Sequence, residues 1–325
     1  MRVQKTLRAA CRVVALCVHL LFLGCDRWHN SVSVVAVPLT AAGAPMLTER
    51  TGLEEATVRE GLLLDWNGPG ERDTPWQVDR IQTAIQERPY GIVVTPFSTF
   101  GVNTSVREAL ARKIPVVIVG SPLPLPPEKH LSFVLEDIAE GGFLLQAHLD
   151  KVLGHRGRIA VFGMDPLSTG SDARAAAFER ALRLRSPGIE VIARVPGPIN
   201  AGYLDLAAEQ LIRAHPELDA IVAMSASAGM SAARAIRGAK LSHPIHLLSS
   251  DFTLDTMLLV RHGEAEAVLV QDLRGMGVRA VQNLVADHAG KAVPAVVSFR
   301  PTLVTRNNID EEGTQQLMLL QWHLP

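Results

Sequence analysis

The sequence predicts an α/β protein built from two doubly wound parallel-sheet lobes joined by a hinge. Short β-branched or apolar runs alternate with helical stretches along nearly the whole chain, a pattern typical of parallel strands joined by crossover helices. The alternation occurs twice, in two runs separated near Pro122–Asp137, where a proline-rich link at Ser121–His130 leads into one more β-like stretch. Roughly 300 residues follow an N-terminal apolar segment, which is enough for one large or two medium domains.

The first run of elements begins with a continuous β-branched strand, which is typical of a strand buried on both faces. One helix places Val78, Ile81 and Ile85 on a single face and is expected to end before Pro89. The elements in order are strand Val32–Leu39, helix Leu47–Arg59, strand Gly61–Trp66, helix Pro75–Arg88, strand Gly91–Pro96, helix Asn103–Ile114 with a cap at Thr104 or Ser105, strand Pro115–Pro122 and strand Leu131–Asp137.

The second run repeats the alternation after the proline-rich link. Its elements are helix Ile138–Leu153, strand Gly157–Met164, helix Ser171–Leu184, strand Ile189–Val195, helix Leu204–Ala214, strand Leu218–Ser225, helix Ala228–Arg237, strand Pro244–Asp251, helix Thr253–Val260, strand Ala265–Asp272, helix Met276–His288 and a strand near Ala295–Phe299.

Two successive runs predict two lobes with interleaved boundaries. We expect residues 32–137 with 272–300 in the first lobe and residues 138–271 with 301–325 in the second. Ligands of doubly wound sheets bind beyond the carboxyl ends of the strands. The cleft between the lobes is therefore the expected site, and hinge closure is the expected motion.

The N-terminus carries the pattern of an export signal. Basic residues precede an apolar segment, Val13–Gly24, that is short for a membrane span. Phe22-Leu23-Gly24-Cys25 resembles a bacterial lipobox, which implies a signal peptide at 1–24, a linker at 25–31 and a periplasmic or cell-envelope protein lipid-anchored through Cys25. A plain cleaved signal and an uncleaved anchor are the alternatives.

The composition excludes several classes of protein. With 47% hydrophobic and 20% charged residues the chain is globular, and its net charge of −1 offers no field for nucleic acid. Cys11, Cys17 and Cys25 are the only cysteines, so a chain that begins at Cys25 has no disulfide and no thiolate metal cluster.

No catalytic motif is recognisable. Phosphate-binding loops, a strand-linked G-x-G-x-x-G, an H-E-x-x-H helix and a G-x-S-x-G turn are all missing from the sequence. Serines near aspartates, at 168, 171, 249 and 250, are interpreted as helix caps and turns. We therefore predict a protein that is not an enzyme and that needs no cofactor or metal.

Several strings carry a family resemblance. They are "FVLEDIAEGG" at 133–142, "SDARAAAFERAL" at 171–182, "LLSSDFTLD" at 247–255 and "AVLVQDLRGMGVRAVQNL" at 267–284. Together with the order of elements and the leader, they resemble the type I periplasmic sugar-binding proteins, the ribose and galactose group. The resemblance covers roughly residues 32–304 and implies a monomeric binding protein with two hinged lobes.

The resemblance also implies the ligand-binding residues. Arg174, four residues before Phe178, matches an arginine that donates to ligand hydroxyls. Asp251 and Gln271 match an acceptor and an amide at strand ends, and Ser225 stands where an asparagine is usual. Asp137 lies at the first crossing between the lobes and is interpreted as a hinge residue that bonds across the cleft.

Other positions depart from the family pattern. The turn after the first strand has Pro45 and Met46 where ring-stacking aromatics are usual. Gly120 and Ser121 replace an Asp-Arg pair that clamps hydroxyls, and Ile199 replaces an aromatic, with Tyr203 one turn further on. The hydroxyl-binding half of the site is thus kept in part, while the ring-stacking half is lost.

The sequence therefore predicts an extracytoplasmic solute-binding lipoprotein that captures a small, polar, sugar-like ligand for an ABC permease. A binding protein that signals to a membrane kinase or chemoreceptor is the alternative. The effector domain of a transcription regulator is disfavoured because no helix-turn-helix precedes the lobes. An enzyme on this scaffold is disfavoured because no catalytic constellation is visible.

Overall fold

The computed structural model describes residues 32–165, 168–197 and 201–322. The predicted leader, the linker with Cys25, and Ile199 lie outside these residues. The strands are β1 Ser33–Val37, β2 Leu63–Trp66, β3 Gly91–Val94, β4 Val116–Gly120, β5 Leu131–Glu136, β6 Gly157–Met164, β7 Ile189–Pro196, β8 Ala220–Ala223, β9 His246–Ser250, β10 Ala267–Val270, β11 Val296–Phe299 and β12 Thr302–Thr305.

Helices alternate with these strands. They are α1 Ala44–Arg59, α2 Thr74–Glu87, α3 Val102–Ala111, α4 Ile138–Leu153, α5 Thr169–Arg185, α6 Ala201–Ala214, α7 Ala226–Gly238, α8 Leu254–His262, α9 Leu273–His288 and α10 Glu312–Trp322. Within the described residues, no helix has the length and apolar character needed to cross a membrane.

The strands form two sheets, as predicted. The first has the order β11-β5-β4-β3-β1-β2, and its neighbouring strands are all parallel. The second has the order β12-β10-β9-β8-β6-β7. We call each sheet with its covering helices the first and the second lobe, and the doubly wound fold class is confirmed.

The edge strand β12 differs from the prediction. It pairs antiparallel with β10, with Thr302 opposite Val270 and Thr305 opposite Ala267. The sequence analysis predicted no strand here, because a four-residue segment directly after β11 carries little periodic signal. An antiparallel edge strand on an otherwise parallel sheet is common in doubly wound folds.

The chain passes between the lobes three times. It crosses at Asp137 between β5 and α4, at Gln271–Asp272 between β10 and α9, and at Arg300–Pro301 between β11 and β12. At the first crossing, the Asp137 backbone N–H donates to the Phe299 carbonyl at 2.7 Å, which ties two of the crossings together.

Each lobe has a core on both faces of its sheet. Successive residues of β1 point to opposite faces, so Val35 packs in a cluster with Ile81 of α2. Val34 packs on the other face with Leu53 of α1 and Met276 of α9. The helix α9 therefore completes the first lobe although it lies late in the sequence.

Helix ends follow capping rules, with one correction. Ser168 caps α5 by accepting from the Ser171 N–H at 3.5 Å, which confirms its interpretation as a cap. The predicted cap of α3 at Thr104 or Ser105 is wrong. Gly101 precedes that helix with a φ of 74° and no side-chain cap, a conformation that favours glycine.

Helices α1 and α9 approach so closely that Gly52 has no room for a side chain. A Cβ there would lie 2.1 Å from the Arg274 carbonyl oxygen of α9. We expect Gly52→Ala to push the helices apart and to lower the free energy of unfolding by about 1–3 kcal/mol, measured by urea denaturation.

The matched control is Gly238→Ala at the end of α7, where a Cβ would meet nothing within 4 Å. We expect that variant to match the wild type or to exceed it slightly, because alanine reduces the entropy of the unfolded chain. Equal urea midpoints for the two variants would contradict the close-approach interpretation.

Candidate functional site

A cavity of about 100 Å³ lies between the two sheets at the carboxyl ends of their strands. This is the position expected for a ligand of doubly wound sheets. The first lobe contributes Leu39, Pro45, Met46, Arg72, Thr95, Pro96, Gly120 and Ser121. The second lobe contributes Ser168, Ser171, Arg174, Met224, Ser225, Asp251 and Gln271, and Leu273 of α9 completes the lining.

Arg174 is the central cation of this cavity. It lies in the first half of α5, with only 17% of its side chain exposed. Its Nε donates to Glu136 Oε2 at 3.1 Å and its Nη1 to Asp251 Oδ1 at 3.2 Å. Burial lowers the pKa of the guanidinium, but Asp251 and Glu136 together outweigh burial and leave that pKa above its ordinary value.

Asp251 follows β9 in the left-handed conformation, with a φ of 68°. Aspartate is one of the few residues besides glycine that tolerate this region. Its carboxylate accepts from Arg174 and, at 3.3 Å, from the Gln271 side-chain amide. The structure therefore brings three of the predicted residues, Arg174, Asp251 and Gln271, into one hydrogen-bonded group at the cavity wall.

Ser225 also lines the cavity, but its side chain has a structural task. Its Oγ accepts from the Ala228 N–H at 3.2 Å and so caps α7. Only 5% of the residue is exposed. A hydroxyl that already caps a helix keeps a donor hydrogen, so Ser225 can still donate to one ligand atom.

Asp137 occupies a different position from the other predicted residues. Its carboxylate accepts from the Glu140 N–H at 3.0 Å and caps α4. It does not belong to the residues that line the cavity. The acidic side chain at this crossing that contacts a cavity residue is its neighbour Glu136, the last residue of β5, whose Oε2 accepts from Arg174.

The sequence analysis did not single out Glu136. Its side chain is 3% exposed, and Oε1 has no hydrogen-bond partner among the described residues. Burial raises the pKa of this carboxyl, and the charge of Arg174 offsets part of the rise. The only sequence signal for Glu136 was the position of this acidic residue at the end of a buried strand, where an unpaired charge would be costly.

Arg72 was also missed. It lies between β2 and α2 in the first lobe, and its Nη1 donates to Asp165 Oδ2 in the second lobe at 3.4 Å. The guanidinium lies 5.4 Å from the centre of the Phe97 ring, within the range of a cation–π contact. No local pattern could identify this residue, since its partner is 93 positions away in the sequence.

A buried carboxyl lies behind the first-lobe wall. Thr95, which lines the cavity, donates its Oγ1 hydrogen to Glu49 Oε1 at 2.6 Å. Glu49 is 1% exposed, and its second oxygen has no partner among the described residues. Burial raises the pKa of Glu49 to about 7, although the Thr95 hydrogen bond opposes the rise.

The departures from the family pattern fall at the cavity as well. Pro45, Met46, Gly120 and Ser121 all line it. Tyr203 does not, since its hydroxyl donates to the Pro196 carbonyl at 3.3 Å and its residue is 47% exposed. Among the residues that the structure describes, the cavity lining contains no aromatic side chain.

Comparison with known proteins gives the following matches. A sequence model of the periplasmic binding protein domain family matches residues 35–292. The ABC transporter periplasmic-binding protein YphF of Escherichia coli is 26% identical over 215 residues, which are 63% of this chain and 64% of that protein. The chain thus spans less than two thirds of YphF. The ribose import binding protein RbsB of Bacillus subtilis is 20% identical over 260 residues, 79% of this chain and 82% of that one.

A solved structure has the same fold. The glucose-galactose binding protein GanP of Geobacillus stearothermophilus superposes with a TM-score of 0.81 at 20% identity, covering 86% of this chain and 99% of GanP. At this identity the similarity establishes the shared architecture of two lobes.

Proposed function

Because the chain belongs to the periplasmic binding protein domain family, we propose that it captures a small, neutral, sugar-like ligand between its lobes for an ABC importer. The observation that carries this proposal is the group formed by Arg174, Asp251 and Gln271 at the wall of the cavity. Guanidinium, carboxylate and amide groups together donate to and accept from the hydroxyls of a polyol.

The charges near the cavity favour a neutral ligand over an anionic one. The Arg174 cation faces Glu136 and Asp251, and the Arg72 cation faces Asp165. Each arginine therefore already has a carboxylate partner, so an anionic ligand would bring an uncompensated negative charge into a largely buried site. Because the described residues of the cavity lining include no aromatic side chain, recognition through hydroxyls is favoured over stacking on a sugar ring.

The names of the relatives support the transport role. YphF is named as an ABC transporter protein and RbsB as a ribose import protein. We further propose that the chain acts in the periplasm, that Cys25 anchors it to the membrane through a lipid, and that an ABC permease receives the ligand.

The proposal is tested by scanning fluorimetry of the purified full chain with D-ribose, D-arabinose, D-glucose and D-galactose. A sugar present at 100 times its dissociation constant should stabilise the protein by about 2.7 kcal/mol, which appears as a rise in melting temperature. We expect at least one sugar to give this rise. A flat response from a folded wild type to all four would contradict the proposed ligand class.

The same assay identifies the site. Asp251→Asn keeps the shape of the side chain and its tolerance of a positive φ, but loses the charge that accepts ligand hydroxyls. We expect it to remove the melting shift. The matched control is Asp310→Asn, since Asp310 has a side chain that is 77% exposed and lies in a surface ion pair with Arg261. That control should keep the full shift.

A further inference from the structure

The first lobe carries a cation that the family resemblance does not account for. Arg72 lies in the loop between β2 and α2, far in sequence from the turn at Gly120 and Ser121 where the usual hydroxyl clamp is missing. It nevertheless lines the same cavity as Arg174. Arg72 therefore lies on the same wall of the site as Gly120 and Ser121, the positions where the clamp is missing.

The guanidinium of Arg72 is held in place by its neighbours, and it has more N–H donors than its described contacts use. It has five N–H donors, and one of them donates to Asp165 Oδ2 at 3.4 Å. The Phe97 ring lies under the guanidinium, and 30% of the arginine side chain is exposed. Donors that face a cavity from a fixed plane are suited to bridge two neighbouring hydroxyls.

Asp165 is the residue of the second lobe that pairs with Arg72. It lies at the end of β6 in the second lobe, with 5% of its side chain exposed. Its backbone N–H donates to Ser171 Oγ at 3.0 Å, which fixes it to the start of α5. Any opening of the cleft that separates β6 from the β2–α2 loop breaks its ion pair with Arg72.

We propose that Arg72 is a ligand-binding residue that donates to hydroxyls from the first lobe, and that Asp165 is the positioning residue that orients it when the lobes close. The inference rests on the proposed function and extends it. The Arg72–Asp165 pair replaces the missing Asp-Arg clamp, with its arginine in the first lobe and its aspartate in the second. Ligand contact through Arg72 is then coupled to closure.

The test uses the full chain and the sugar from the panel above that gives the largest melting shift, with affinities measured by calorimetry. We expect Arg72→Met to weaken binding about tenfold or more, as for the loss of hydrogen bonds from a charged donor. Arg50→Met is the control, because Arg50 is exposed and pairs with Glu54 on the next turn of α1. It should bind like the wild type.

Deoxy analogues distinguish a ligand contact from a structural effect. D-Fucose, 2-deoxy-D-glucose and 2-deoxy-D-ribose each lack one hydroxyl. If Arg72 contacts a hydroxyl, removing that hydroxyl weakens binding to the wild type but not to Arg72→Met, which is the coupling that a double-mutant cycle measures. Equal losses for every analogue in both proteins would overturn the assignment of Arg72 as a ligand contact.

Asp165→Asn tests the positioning role. We expect it to weaken binding severalfold alone and to have no further effect in the Arg72→Met background. The double variant also removes the unpaired carboxylate that Arg72→Met leaves behind, so its binding is measured on a protein without that defect. Wild-type affinity in the double variant would overturn the inference while the proposed function stands. A wild type that binds no sugar would overturn both.

Discussion

Replacing Arg174 with methionine is expected to lower the free energy of unfolding by about 3–5 kcal/mol at pH 8, the usual cost of removing one partner from a buried ion pair. The loss arises at Glu136, whose side chain is 3% exposed and whose Oε2 accepts from Arg174 Nε. Without the cation, that carboxylate is left buried and uncompensated. Urea denaturation of the full chain measures the effect.

The pH dependence of the Arg174→Met variant identifies the cause. Burial already raises the pKa of Glu136, and Arg174 opposes that rise. Removing Arg174 raises this pKa further, so the carboxyl takes up a proton more readily as the pH falls and less buried charge remains uncompensated. We expect the variant to recover part of its lost stability at pH 5 relative to pH 8.

Two further variants complete this test. Arg174→Met with Glu136→Gln removes both charges and should recover most of the stability at pH 8. Arg183→Met, on the same helix, changes an arginine whose side chain is 67% exposed, and should cost less than about 0.5 kcal/mol. If the double variant is as unstable as Arg174→Met, the loss does not come from Glu136.

The second large effect is a fall in stability between about pH 4.5 and pH 7 caused by Glu49. Its pKa is 4.5 before folding and about 7 in the folded protein, because burial disfavours the charged form. In this window the folded state binds a proton that the unfolded state has lost, so stability falls as the pH rises. The difference amounts to about 3 kcal/mol once the pH exceeds 7.

Glu49→Gln should remove this slope. The variant keeps an oxygen that can accept from Thr95 but cannot ionise, so we expect it to equal the wild type near pH 4 and to exceed it at pH 8. Glu54→Gln on the same helix, with a side chain that is 46% exposed, controls for the loss of a carboxylate on α1. Parallel curves of stability against pH for the wild type and Glu49→Gln would contradict the prediction.

Much of the fold was predictable because its signals are local. The β-branched run of β1 and the apolar face of α2 each fix an element within a few residues, and Ser168 was recognisable as a cap from its own position. The strand β12 was not predictable from pattern. Its existence depends on pairing with β10, more than thirty residues earlier in the chain.

The residues of the candidate site likewise fall into those that could be predicted from the sequence and those that could not. Arg174, Asp251 and Gln271 were proposed through a resemblance, and the structure groups them by hydrogen bonds. Glu136 and Arg72 matter because each pairs with a side chain of the second lobe, and their partners Arg174 and Asp165 are 38 and 93 positions away. Charge pairing over such separations is a property of the tertiary structure, which no local spacing encodes.

The three crossings between the lobes have a consequence for synthesis on the ribosome. One face of the first sheet is covered by Met276, Ala280, Val281 and Leu284 of α9, and the sheet gains its last strand only with β11. The first lobe therefore cannot close its core until residues near Phe299 have emerged. Domains generally fold from the N-terminus during synthesis. Here the second lobe is inserted in the sequence of the first, and all of its strands except β12 are synthesised before the first lobe is complete. A nascent chain of this protein therefore exposes the half-built first lobe while the second lobe is being translated.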